Sequence, residues 1–307
     1  MRSLLRIALS TAALVTVASA ASAGSWVPVA PVSGASQTSP FGITDSNIVT
    51  GDYTDAQGVT HGFVGPIDGS NYKSFDDPDG STQPRGINDR GWIAGFDSVS
   101  TATWERTPDG KLKSVKMDGT ALDGVAQGLN KKGAFGADYI DPSTGATIGY
   151  LGKKAKYRTK SKLSIKNNGW ALRGVDAAGD VAGWFYDPTT NLMHGYITVG
   201  GKTTQIDFPN ATYTVMEGLN DKGIAPGQFE DSGGAIHGFY LDIKSGKMTQ
   251  LDVSGATLTQ IWGVNNNDVI AASSSAGSYV YCIHSRGCPK APARYQPQHG
   301  SSRPLPQ

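Results

Sequence analysis

A glycine followed by an apolar residue and then by Asn, Asp or Thr recurs six times in this chain, at Gly42, Gly86, Gly128, Gly174, Gly218 and Gly263. The intervals are 44, 42, 46, 44 and 45 residues. A period of that length marks stacked or radially repeated units, each too small to bury a core alone. Nine residues after each anchor glycine stands another small residue, Gly51, Gly95, Ala137, Gly183, Gly227 and Ala272. Between the two lie a polar turn and one apolar residue, a pattern that predicts two short strands joined by a turn needing positive φ.

A second hairpin follows in most repeats. Tyr53, Tyr139, Phe185 and Phe229 each precede an Asp by two positions, and then come a loop and a strand such as His61-Gly62-Phe63, His194-Gly195-Tyr196 or His237-Gly238-Phe239. A fourth strand closes the unit, as in Gln205-Ile206-Asp207 and Gln250-Leu251-Asp252. Four strands per repeat predict an all-β, six-bladed β-propeller. The sixth repeat runs out after three strands, while Ala30–Ala35 near the N-terminus resembles Leu251–Ala256, read as the fourth strand of repeat five. The N-terminal segment is therefore expected to complete the last blade and remove the open edges.

Forty glycines and a charged fraction of 17% suit a chain of short strands and tight turns. Residues 1–23 read as a signal peptide, with Arg2 and Arg6 before an apolar run from Ile7 to Val17 and then small residues. The run is too short to span a bilayer. Its removal takes away two Arg and no acid, so a formal net charge of +1 becomes −1. No global charge marks the mature chain for nucleic acid. Cys282 and Cys288 suit a small disulfide loop in an oxidising compartment, periplasmic or extracellular. The propeller is thus expected over residues 24–288, as a monomer without a membrane span, followed by a disordered tail over 289–307 rich in Pro, Gln and Ser.

The phrases Gly86 to Gly95 and His237 to Phe239, at constant offsets, resemble the bacterial extracellular HAF-repeat family, with its Gly-Ile-Asn-x-x-Gly-x-Ile-x-Gly core and His-Ala/Gly-Phe strand. The resemblance covers residues 37–281. Thr103-Trp104 and Ser278-Tyr279 depart from it in repeats two and six. It implies an exported propeller and no particular activity.

Positions constant in every repeat serve the fold, whereas positions whose chemistry changes are free to serve a ligand. His61, His194 and His237 fall on third strands, where equivalents in neighbouring blades would be roughly 15 Å apart, too far to share a metal. Asp55, Asp141, Asp187 and Asp231 are expected to cap their loops. Asn88, Asn130, Asp176, Asn220 and Asn265, with Thr44, start turns, and the alternative is a ring of their oxygens that holds an ion; no cofactor is expected, the alternative being calcium, which the loop aspartates would hold loop by loop. The residue before each anchor glycine varies most: Phe41, Arg85, Gln127, Arg173, Glu217 and Trp262. On an innermost strand these six converge at the channel mouth, where they form either a ligand site for a small anion or sugar or an internally satisfied plug. Glu217 beside two Arg is expected to have a depressed pKa, which suits binding rather than proton transfer.

Strand parity places an acidic set of loops on one face and mostly lysine (Lys111, Lys131, Lys132, Lys153, Lys202, Lys222, Lys244, Lys247) on the other. From Lys154 to Lys162 basic residues alternate, which on an outermost strand discourages edge pairing or binds a polyanion. No nucleophile elbow, phosphate loop, zinc-protease helix or dinucleotide fingerprint is present. The expected function is a non-catalytic exported module that binds a surface glycan, a small anion or a protein. A carbohydrate- or ester-acting hydrolase or lyase using Glu217, and a structural matrix component, are the alternatives.

Overall fold

The computed structural model describes residues 24–77, 80–117, 120–121, 124–160 and 163–292. The signal-peptide reading and all of the expected tail beyond residue 292 lie outside these residues. Six four-stranded antiparallel sheets are arranged as blades around a central axis. The innermost strands are Gln37–Ile43, Thr82–Ile87, Gly124–Leu129, Trp170–Val175, Tyr213–Met216 and Thr259–Val264. In blades one to five the next three strands follow outward in chain order. Between blades two and three the crossover carries an extra two-residue hairpin, Lys116–Met117 with Thr120–Ala121.

Blade six is completed by Ser25–Pro28, which pairs antiparallel with Gly277–Cys282, in the register Ser25 to Cys282 and Pro28 to Tyr279. The closing strand lies just upstream of the segment that resembled Leu251–Ala256. The reason is that Leu251 is the last residue of its own strand, Lys247–Leu251, so most of the shared phrase is the crossover that follows it. The Cys282–Cys288 disulfide ties the end of the third strand of blade six to the loop beyond, where Asn47 Nδ2 from blade one donates to Gly287 O. Val27, Val29 and Val280 share one buried cluster with Ile43, Val49 and Phe63 of blade one, so the seam between chain ends has a continuous core.

Each inner hairpin turns through a residue at positive φ. Gly91, Gly133, Gly179 and Gly223 serve in blades two to five, and Asn47 and Asp268 in blades one and six. Asn and Asp are the side chains that best tolerate this conformation. Packing between blades supplies the core, with Phe63, Trp104, Phe135, Tyr150, Phe185, Tyr196 and Phe239 fully buried between sheets.

Candidate functional site in the central channel

The anchor glycines stand where neighbouring inner strands touch backbone to backbone. A Cβ on Gly86 would lie 2.2 Å from Gln127 O, on Gly128 2.5 Å from Arg173 O, on Gly174 2.5 Å from Gly218 C, and on Gly263 2.7 Å from Phe41 O. Only a residue without a Cβ lets the ring close to this radius. The residue just before each glycine is equally constrained. In blades one, two, three, four and six the pairing of first and second strands shifts there, giving the first strand an extra residue. Such bulges re-aim a side chain, and here they turn five of the six variable residues towards the axis, Glu217 of blade five standing just past the end of its strand instead.

All six are packed inside the channel rather than standing at its entrance. Phe41 is fully buried, and Arg85, Gln127, Glu217 and Trp262 are nearly so. They form two groups. The Arg85 guanidinium lies 3.9 Å from the ring centre of Phe41 and 5.0 Å from that of Trp262, and those two rings meet edge to face. Across the channel Gln127 Nε2 donates to Glu217 Oε2 at 2.9 Å. Arg173 Nη1 comes within 3.0 Å of Asp138 Oδ1, close enough for an ion pair but not aligned as a hydrogen bond.

A second variable ring surrounds the first and was missed in the sequence. It occupies the position after each second small residue: Asp52, Phe96, Asp138, Trp184, Gln228 and Ser273. Arg85 feels the Asp52 carboxyl of blade one and lies 5.3 Å from the Phe96 ring of its own blade. Arg173 repeats the arrangement two blades on, with Asp138 of blade three and Trp184 of its own blade at 5.7 Å. Trp262 Nε1 donates to Ser273 Oγ. The signal was available, because this position also changes chemistry from repeat to repeat.

Burial dominates the electrostatics. It pushes Glu217 up to about 7 against the pull of Arg173 and Arg85, so the expected depression does not occur. The favourable attraction is smaller than the cost of taking the carboxylate out of water. Asp52 is likewise pushed up to about 7 by burial, despite Arg85 and a hydrogen bond from Ser39, and Asp138 is raised despite Arg173. Burial, with Arg173 adding to it, lowers Arg85 to about 10, while Asp52 and Glu217 oppose the change.

Below this layer the polar ring is a belt. The Oδ1 atoms of Asn88, Asn130, Asp176, Asn220 and Asn265 each accept two backbone N–H groups from their own turn. Four Nδ2 groups donate to the next blade: Asn88 to Asn130 O, Asn130 to Asp176 O, Asn220 to Asn265 O and Asn265 to Thr44 O. These oxygens are therefore committed to the turns rather than offered to a cation. Asp176 and Thr44 have no amide to give. At those two junctions a second belt substitutes, with Ala177 N–H donating to Asp221 Oδ1 and Asp45 N–H to Asp89 Oδ1.

The belt and the inner ring form a pocket of about 70 Å³, open to solvent at one end and lined by residues that include Arg85, Gln127, Glu217, Asp45, Asp89, Asp221 and Lys131. An apolar cavity that encloses benzene measures about 150 Å³, so a sugar ring is not enclosed here. Lys131 of blade three bridges to Asp221 of blade five across this mouth.

The three histidines do other work. His61 Nδ1 bonds Asp76 and Nε2 bonds Asp55, and His237 bonds Asp252 and Asp231 in the same way. His194 bonds Asp207. Each ring also packs on the aromatic residue of the second strand, Tyr53, Phe185 or Phe229. The loop aspartates cap their turns, as in Val59 N–H and Gln57 N–H to Asp55 Oδ1.

Two expectations about surface charge are corrected. The lysine face also carries Asp109, Asp221 and Asp268, which pair with Lys111, Lys131 and Lys222, so that face is mixed. The basic stripe begins late, because Lys154 and Ala155 form a turn at positive φ and the outermost strand is Tyr157–Lys160. Lys156 just before it and Arg158 on it flank Tyr157 and are exposed, as an edge strand resisting edge-to-edge pairing requires; Lys162 lies outside the described residues.

No family model matches the chain, and no curated protein matches it either. Solved structures of similar fold include a gluconolactonase from Xanthomonas campestris, 10% identical over 84% of this chain and 89% of that one, with a TM-score of 0.53. TolB from Acinetobacter baumannii is 11% identical over 77% of this chain and 63% of that one, at 0.50. A virginiamycin B lyase from Staphylococcus aureus is 12% identical over 84% and 99%, at 0.48. At such identities the likeness is one of propeller fold alone.

Proposed function

We propose that the chain is an exported, non-catalytic binding propeller of the HAF-repeat kind, and that it takes a basic protein segment on its acidic face. One observation carries this reading. On blades one, four and five the loops 55–59, 76–77, 187–192, 207–212, 231–235 and 252–258 hold seven carboxylates and no Lys or Arg, whereas the crossovers that follow blades two and three on the same face carry Lys116 and Lys166. Five of the seven, Asp55, Asp76, Asp207, Asp231 and Asp252, pair with the imidazoles of His61, His194 and His237. The small channel cavity supports a surface partner over an enclosed organic ligand. Export is supported by the Cys282–Cys288 disulfide and by the leader-like residues 1–23.

The test compares retention of residues 24–292 on immobilised polylysine and on heparin in dilute salt. Retention on polylysine is expected, and it should be lost on adding salt and in the triple variant Asp76→Asn, Asp207→Asn, Asp252→Asn. Asn keeps an oxygen for each histidine. Retention on heparin alone, or on neither support, would overturn the reading.

A hydrolase or lyase is the second reading, favoured by Glu217 near 7, a value suited to proton transfer, and by the fold shared with the gluconolactonase. It is tested with gluconolactone and simple esters, with and without calcium. The binding reading expects no turnover above the uncatalysed rate. Turnover lost in Glu217→Gln would replace it.

A further inference from the structure

We propose that the loops between second and third strands of blades one to four form an aliphatic docking arc, and that the segment bound on the acidic face carries large aliphatic residues next to its basic ones. The proposal rests on the basic-segment reading of that face and adds the other half of the ligand. Among the described residues five large apolar side chains are exposed, Val59, Val99, Ile140, Leu192 and Val199. Val99 is 72% exposed, and Val59, Ile140 and Leu192 are nearly half exposed. These four lie in or at the edge of the strand two-three loops, one in each of four consecutive blades, on the face that carries the carboxylates. Val199, the least exposed, ends a third strand on the opposite face. The fold does not need the four side chains. Val59 and Leu192 close their loops through the backbone, each carbonyl accepting the N–H of the loop aspartate, Asp55 or Asp187. Ala102, Ala146 and Ala235 do the same for Asp97, Asp141 and Asp231. Val99 also serves its turn through the backbone, its N–H donating to Asp97 Oδ1. Aliphatic side chains held in water on one face of the disk, where alanine serves as well, mark a contact surface.

Charge decides what covers the arc. The corresponding loops of blades five and six, Asp231-Ser232-Gly233-Gly234-Ala235 and Ser274-Ser275-Ala276-Gly277, offer no large aliphatic side chain. The loops without Lys or Arg belong to blades one, four and five, whereas Lys116 and Lys166, both exposed, follow blades two and three. The face is thus divided into an acidic half over blades four, five and one, and an aliphatic half with two lysines over blades two and three, where Val99 and Ile140 stand. Blades one and four carry both characters, with Val59 next to Asp55 and Leu192 next to Asp187. A segment with a basic stretch and an adjoining aliphatic stretch matches the two halves. The lysines turn its basic end away from blades two and three, and its aliphatic end gains by covering Val99 and Ile140. Equivalent loops of adjacent blades are roughly 15 Å apart, so about a dozen extended residues at about 3.3 Å each reach from one half into the other.

The probes are two twelve-residue peptides, six lysines followed by six serines, and six lysines followed by alternating valine and serine, titrated into the chain from residue 24 onward in dilute salt. The valine peptide is expected to bind about tenfold tighter or better, and to keep that ratio as salt is added, because burial of apolar surface is not screened. Val99→Ser combined with Ile140→Ser should abolish the difference and leave the Kd of the serine peptide unchanged. Both side chains are exposed, so the double variant keeps its fold. Val199→Ser, on the opposite face, should change neither Kd. Equal affinity for the two peptides, or a difference that survives the double variant, would overturn the arc and leave the basic-segment reading standing. Binding of neither peptide would overturn both. A dimer of the free chain that the double variant dissociates, or binding to neutral phosphatidylcholine vesicles that it abolishes, would assign the arc to a second copy or to lipid and overturn the proposal as well.

Discussion

A methyl group is the finest probe of why the repeated glycine is a glycine. In Gly86→Ala the new Cβ would press on Gln127 O at 2.2 Å, whereas in Gly218→Ala the nearest atom is Pro226 Cγ at 3.1 Å. Gly86→Ala is expected to cost about 2–4 kcal/mol and Gly218→Ala under about half of that, as overpacking against fixed backbone exceeds overpacking against a side chain. Equal melting shifts for the two variants would refute this account. The repeat exposed these positions in the sequence because backbone contact tolerates no exception. The pKa of Glu217 was not legible in the same way. Opposite charges could be inferred from Arg85 and Arg173, but the depth of burial that outweighs them is a property of the closed ring.

Single ionisable residues also set the pH response. Burial opposes charge on His61 and His237, but hydrogen bonds and charge from Asp76 and Asp55, and from Asp252 and Asp231, outweigh it and raise both rings. That stabilisation is whole below the ordinary value of 6.5 and is lost as pH climbs through the raised one. Asp52, Glu105 and Glu217, pushed up to about 7 by burial, act with the same sign, because their neutral forms are the ones the fold favours. Asp55, Asp187 and Asp231 are lowered, chiefly by backbone hydrogen bonds, and lose their contribution only as pH falls below 3.8. The melting temperature should therefore peak near about pH 4 and fall from there to about pH 7, the histidines extending the fall above 6.5. Asp52→Asn should flatten that fall. A melting temperature that rises through neutrality would contradict the assignment.

At the scale of elements, the bulge and the belt show how little of a blade is interchangeable. The bulge was invisible in the sequence, since an extra residue in one strand leaves the nine-residue spacing from anchor to small residue intact. It explains why Phe41, Arg85 and Arg173 reach the axis while their neighbours face adjacent blades. Each belt junction has at least one bond, but not the same number. Blades three and four are joined there by Asn130 Nδ2 to Asp176 O and, from an exposed side chain, by Lys132 Nζ to Ala177 O. Blades six and one share Asn265 Nδ2 to Thr44 O and also Asn266 N–H to Asp45 Oδ1. Asn130→Asp keeps the turn acceptor but sets oxygen against oxygen, and should cost about 1–3 kcal/mol. Asn265→Asp should cost less, because three bonds from Asn266 and Asn267 to Asp45 remain. Denaturant midpoints of the two variants measure the difference.

For the whole molecule, closure rests on Ser25–Pro28 and on the disulfide beside it. Replacing Cys288 by Ser should cost about 2 kcal/mol by the entropy of so short a loop. Deleting residues 24–29 removes Val27 and Val29 from the seam and bares the edge of Gly277–Cys282, and it should turn a single melting transition into aggregation. A monomeric, fully cooperative deletion variant would argue against the seam. The six-fold ring itself could be read from spacing and the missing fourth strand. The place of the closing strand was displaced, because the shared phrase marks the end of a strand and not its body.

That seam also orders events in time. Ser25 is among the first of these residues to be synthesised, and its partner Cys282 is among the last. Blades one to five can form as they emerge, each from local hairpins, but the sixth waits for nearly the whole chain. Until then the molecule is an open arc with two sticky ends, and its lifetime in that state is set by the rate of chain delivery rather than by the stability of any blade.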